Sequence, residues 1–134
     1  MKTKGKILFG AAYSAIEPLG LLHLGGLARD MNWERAYHLI KDHDFTEFFE
    51  LVKDNKPDIV GFNIYTGNHL QLYEAFDRLK KDYGSGIRTV IGGPHATYFP
   101  EETSRHSDYV VMSEGFSSLR KILNDSAEFG IMPM

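Results

Sequence analysis

The chain has 134 residues, 43% of them hydrophobic and 25% charged, with a net charge of −3 at pH 7 and no cysteine. That is enough chain for one domain with one core. The mildly acidic balance argues against a nucleic-acid partner, which selects for a basic face. The lack of cysteine excludes disulfides, thiolate zinc sites and iron–sulfur clusters within these residues.

No apolar run approaches the roughly 18–20 residues of a membrane span, so no membrane partner is expected. The basic start, Met1 to Lys6, leads into a short apolar run and is not read as a signal peptide. A cytoplasmic protein is expected.

From Lys6 to Ala12 the chain reads as a strand buried on both faces. After a loop, Pro18 suits a first helical turn, and Gly20, Leu24, Leu27, Ala28 and Met31 then share one helical face. Gly25 and Gly26 each cost that helix about 1 kcal/mol of propensity. Close packing on the sheet is the expected reason for Gly20.

Glu34 to Ile40 is a more polar strand, expected at a sheet edge. Phe45, Phe48, Phe49 and Val52 form an aromatic stripe on the next helix, a core pattern. Residues 59–64 are a third apolar strand, followed by a turn at Tyr65, Thr66 and Gly67. Asn68 is a candidate N-cap for a helix with Leu72, Ala75, Phe76 and Leu79 inward. Lys80, Lys81 and Asp82 read as its solvated end, and 83–86 as a flexible connector.

The fourth strand, Arg88 to Ile91, runs into Gly92, Gly93, Pro94 and His95. Paired glycines at a strand end let a backbone or a flat ligand approach closely. A short helix over 99–104, a strand over 108–112 and a helix with Phe116, Leu119, Ile122 and Leu123 inward complete a domain of residues 1–125. Residues 126–134 read as a tail or the start of a linker.

Strands alternating with helices specify a parallel sheet with right-handed crossovers. The expected class is α/β, a flavodoxin-like (Rossmann-like) five-stranded parallel sheet of order 2-1-3-4-5 with helices on both faces. The strands over 34–40 and 108–112 are expected at its two edges. Ligands bind outside the carboxyl ends of such strands, here the loops over 12–19, 63–68, 92–97 and 113–115.

Several chemistries fail there. A phospho-acceptor domain needs an aspartate where Asn63 stands and acidic residues where Ala11 and Ala12 stand. The loop Tyr13 to Glu17 is too poor in hydroxyls to cradle a phosphate, and no Gly-x-Gly-x-x-Gly follows the first strand. His69 and His95 lack a cysteine or a second histidine at ligand spacing. No metal ligand and no catalytic residue is expected.

Four stretches in order carry a family resemblance: residues 18–28, residues 56–63 with 65–68, Val90 to Thr97 with Pro100, Glu101 and Glu102, and residues 108–111 with Glu114 and Gly115. Together they resemble the cobalamin (B12)-binding domain of methionine synthase and methylmalonyl-CoA mutase. The likeness is greatest to the N-terminal domain of B12-dependent radical S-adenosylmethionine enzymes. That family's signature is Asp-x-His-x-x-Gly in the first loop, Ser-x-Leu after the third strand and Gly-Gly after the fourth. Gly20, Gly92 and Gly93 match it, whereas Ala15 and Glu17 replace the aspartate and histidine, and Asn63 and Tyr65 replace the serine and leucine.

The resemblance implies a cobalamin whose nucleotide tail extends beside the sheet, over Gly92 and Gly93 and past Asn63, with no protein histidine on the cobalt. Small residues would open the slot, and Asn63 would hydrogen-bond the benzimidazole. The implied cofactor-binding residues are Tyr13, Ser14, Glu17, Leu19 and Gly20; Asn63, Tyr65, Thr66, Gly67 and Asn68; Gly92, Gly93, Pro94 and His95; and Glu114 and Gly115. Valine at Gly93 is expected to abolish binding in a domain that still folds.

The implied partner is a radical S-adenosylmethionine catalytic domain, in the same or a separate chain. It would hold the 4Fe-4S cluster and S-adenosylmethionine, and the parent would transfer methyl groups or rearrange rings. From the residues alone two other readings stay open, a B12-free interaction module and a flavin-binding redox domain.

Overall fold

Strand β1 (Lys6–Ala12) lies inside a sheet whose order is β2-β1-β3-β4-β5-β6, with all neighbours parallel. The other strands are β2 (Glu34–Ile40), β3 (Ile59–Asn63), β4 (Arg88–Gly92), β5 (Tyr109–Val111) and β6 (Gly130–Met132). The structure, a computed structural model, describes residues 3–12, 19–42, 44–63, 69–112, 116–124 and 128–132. None of its helices among these residues is long and apolar enough to cross a membrane.

The expected order is extended by one strand. The sheet edge expected at β5 is taken by β6, which pairs Tyr109 with Gly130 and Val111 with Met132. These three residues lie in the stretch read as a tail. Helix propensity and periodicity carry no signal in so short a segment; its parallel pairing to β5 makes it a strand.

Helices α1 (Leu19–Asp30) and α6 (Phe116–Leu123) cover one face of the sheet. There Ile7, Phe9, Ala11, Ile59, Val90, Tyr109 and Val111 pack with Ala28, Leu119, Ile122 and Leu123. Helices α2 (Thr46–Asn55) and α3 (His69–Tyr83) cover the other, where Leu8, Val60, Phe62, Ile91 and Val110 meet Phe48, Val52, Leu72, Phe76 and Leu79. The period-two alternation along each strand divides the two cores. Phe48 stands edge-on to Phe62 at 5.3 Å, so the aromatic stripe of α2 is core as expected; each such buried ring contributes roughly 1.5–3 kcal/mol.

Two details differ from expectation. Lys80 is not simply solvated: its ammonium pairs with Asp108 and donates to the carbonyl of Ile87 at 2.8 Å, tying the end of α3 to β4 and β5. The stretch after β4 is two short helices, α4 (Pro94–Tyr98) and α5 (Pro100–Ser104), where a loop and one helix are expected. Within α1, a Cβ on Gly25 would meet the hydroxyl of Tyr37, so this glycine makes room for that side chain of β2.

Candidate functional site

The register brings three strand ends into line. Ala11 of β1 is opposite Asn63 of β3, and Asn63 is opposite Gly92 of β4. By alternation all three belong to the face covered by α1 and α6. A Cβ built on Gly92 would lie 3.5 Å from both Asn63 Oδ1 and the carbonyl oxygen of Val111. One step deeper, a Cβ on Gly61 would meet nothing closer than 3.9 Å. Gly61 and Gly92 therefore leave a strip of bare backbone beside a single polar side chain, Asn63, which is half-buried. Gly92 is half-buried at the strand end, where a flat ligand can approach the backbone, whereas Gly61 is buried between Phe9 and Val90.

Gly93 has a different task. It has φ 98° and ψ −179°, a conformation essentially reserved for glycine, and it precedes α4. Its carbonyl accepts hydrogen bonds from the Thr97 amide and hydroxyl, both at 3.0 Å. Pro94 follows at the first helical position, where its missing N–H costs nothing. Valine at Gly93 would strain the backbone before meeting any ligand, so its effect on binding would not separate the turn from the strip; Gly92 is the position that reports on the strip.

His95 is only 3% exposed and is directed toward α3 and α5. Its ring stacks between His69, at 4.0 Å between centroids, and Phe99, at 4.9 Å. Its Nε2 lies 3.0 Å from Glu102 Oε2 and 3.1 Å from the Tyr73 hydroxyl. The bond to His95 holds the Glu102 carboxyl below its usual range, with burial opposing and a bond from Tyr73 assisting. Burial pushes the Tyr73 hydroxyl up, offset by its bond to Thr103.

The structure thus joins Asn63 and Gly92, places Gly93 and Pro94 at the adjoining turn, and packs His95 behind them. Leu19 and Gly20 open α1. Tyr13, Ser14, Glu17, Tyr65, Thr66, Gly67, Asn68, Glu114 and Gly115 lie outside the described residues. Gly61 was not singled out from the sequence, although a glycine inside an apolar strand is a mark of close approach. The grouping of His69, Tyr73 and Glu102 around His95 was not legible, because it draws on three elements, α3, α4 and α5, that meet only in the fold.

The family model described as "B12 binding domain" matches residues 5–123. An uncharacterised methyltransferase of Pyrococcus horikoshii is 30% identical over 113 residues, covering 80% of this chain and 24% of that protein. The bacteriochlorophyllide d C-8(2)-methyltransferase of Chlorobaculum tepidum is 29% identical over 112 residues, covering 83% of this chain and 23% of that protein. The chain therefore spans about a quarter of the length of these relatives.

Among solved structures, a cobalamin-binding protein from Desulfitobacterium hafniense superposes with TM-score 0.74 at 20% identity, over 93% of this chain and 60% of that one. The cobalamin-dependent S-adenosylmethionine radical enzyme OxsB, with aqua-cobalamin bound, superposes with TM-score 0.70 at 17% identity, over 92% of this chain and 19% of that one. These likenesses agree with the parallel sheet and its order, and the family match covers most of the sequence. The chain belongs to the B12-binding domain family.

Proposed function

We propose that this chain holds cobalamin at the carboxyl ends of its strands, with the nucleotide tail extended along Gly61, Asn63 and Gly92. It would serve as the cobalamin module of a cytoplasmic B12-dependent radical S-adenosylmethionine methyltransferase or cyclase. The observation that carries the reading is the register that sets Asn63 beside Gly92, with no Cβ at Gly61 or Gly92 to fill the strip. The amide of Asn63 can donate to a ring nitrogen of the benzimidazole, a bond worth more in a strip shielded from water. The backbone at Gly92 lets the flat base lie against the sheet, and Gly93 turns the chain away from it. Tyr13, Ser14, Glu17, Tyr65 and Glu114, which follow β1, β3 and β5 in the sequence, would seat the corrin.

When bound, cobalamin supplies a cobalt that can carry a transferable methyl group. The role assigned to this chain's residues is to bind and orient it. A 4Fe-4S cluster needs cysteines that these residues lack, so the cluster and S-adenosylmethionine are assigned to a further domain, in the same or a separate chain. The names of the two methyltransferase relatives and of the radical enzyme support that assignment.

The test is direct. Cobalamin-free chain is mixed with aquocobalamin and passed through a desalting column. The expected result is stoichiometric cobalamin in the protein fraction, whose spectrum, once reduced to Co(II), is that of cobalt without its benzimidazole. Cobalamin eluting wholly with the small molecules sinks the reading, and a bound yellow flavin instead would establish the redox alternative.

A further inference from the structure

On the α3 side of the sheet, away from the strip, the fold assembles a donor set that no spacing in the sequence displays. His69 opens α3, His95 lies in α4 and Glu102 in α5, and one ligating atom from each falls within 4.8 Å of the other two. We propose that these residues form a binding site for a divalent first-row transition ion, for which Zn²⁺ is the probe. The ion would take the place of the hydrogen atom between His95 Nε2 and Glu102 Oε2.

The distances suit this. Donor atoms about 2.0–2.1 Å from a tetrahedral ion lie roughly 3.3 Å from one another. His95 Nε2 and Glu102 Oε2 are already 3.0 Å apart. Two imidazoles and one carboxylate are a donor set that zinc and its neighbours favour, and they leave a fourth position open. His95 is buried and stacks on Phe99, so its nitrogen stays placed when the His69 ring turns.

Glu102 has a support of its own. The Thr103 hydroxyl donates to the Phe99 carbonyl at 2.8 Å, so its oxygen is an acceptor for Tyr73 at 3.0 Å. The single Tyr73 hydrogen is thereby shared between Thr103 and Glu102 Oε2, the latter at 3.2 Å. Such an outer hydrogen bond orients a ligating carboxylate.

One movement is required. The rings of His69 and His95 are stacked with planes 17° apart, whereas an ion lies in the plane of each ring that ligates it. His69, half-buried on the first turn of α3, must turn its ring about its side-chain bonds; His95 need not move.

The experiment uses the chain without a histidine tag, stripped with a chelator and titrated with Zn²⁺ in competition with a chromophoric chelator. Saturable binding of a single zinc at micromolar affinity or tighter is expected. It should weaken at least tenfold in Glu102→Gln and His69→Ala, and by about tenfold in Tyr73→Phe. Glu102 is exposed, so Glu102→Gln should fold; circular dichroism checks each variant. Retention of cobalamin by Glu102→Gln separates this site from the cobalamin reading. Wild-type chain that cannot compete with the chelator overturns the proposal. So does a folded Glu102→Gln variant that binds zinc as tightly as wild type, which would leave the cluster a network of stacking and hydrogen bonds.

Discussion

Gly92 and Gly93 differ in what a methyl group would do to them. A Cβ on Gly92 makes ordinary contacts at 3.5 Å, and glycine in a strand is roughly 0.5–1 kcal/mol less stable than alanine. Gly92→Ala should therefore melt at or a few degrees above wild type. It should also retain cobalamin at least tenfold more weakly, because the methyl group occupies the strip. Gly93→Ala meets a φ of 98°, costs about 1–3 kcal/mol, and should melt lower with or without cobalamin. Thermal melts and cobalamin retention on the two variants separate the strip from the turn. A Gly92→Ala variant that binds like wild type would show that the tail runs elsewhere. The sequence displays the glycine pair but not this division of labour, which depends on φ and on what crosses above each residue.

At the scale of elements, periodicity placed the long helices and the four long strands, because each buries a continuous face. It failed for β6 and for α4, elements of three and five residues that are too short to show a period and are fixed by their neighbours. It also failed for the cluster around His95, whose members meet only after α3 and α5 pack. At the start of α2 the Thr46 amide donates to Asp44 Oδ1 at 2.9 Å.

Hydrogen bonds from Thr46, side chain first and then backbone, hold the Asp44 carboxyl below its ordinary value of 3.8. A group whose folded pKa is depressed stabilises the fold fully above its unfolded value, and that contribution is lost as the pH falls through the folded one. Wild type should thus lose stability below pH 3.8 more steeply than Asp44→Asn, whose amide still accepts a bond but does not titrate. Parallel denaturation midpoints for the two proteins between neutral and acidic pH would remove this role for Asp44.

For the whole molecule, the open question is what lies beneath the cobalt in the proposed complex. The first loop reads Ser14, Ala15, Ile16, Glu17 and Pro18, without an imidazole where the family signature has one. Sequence alone leaves His69 and His95 as substitutes, since both follow strands at the ligand end of the sheet. The fold argues against them. His95 is buried against α3 and α5, and its Nε2 is engaged with Glu102 and Tyr73; His69 is stacked on it. Both lie on the face opposite the strip. A nitrogen ligand from His95 would require breaking a buried hydrogen-bond network at a cost of about 1–3 kcal/mol per group left unpaired.

On the proposed reading, no imidazole of this chain would reach the cobalt, and the base of the tail would rest against Asn63 and Gly92 instead. Electron paramagnetic resonance of the Co(II) form tests this, because an axial nitrogen splits each cobalt line into a triplet. Unsplit lines are expected from the wild-type complex. Triplets that vanish in His69→Ala would mean that the ring leaves its stack to reach the cobalt. Triplets that persist in both His69→Ala and His95→Ala would mean that the benzimidazole had not left the cobalt, and the extended tail along Gly61 and Gly92 would be wrong.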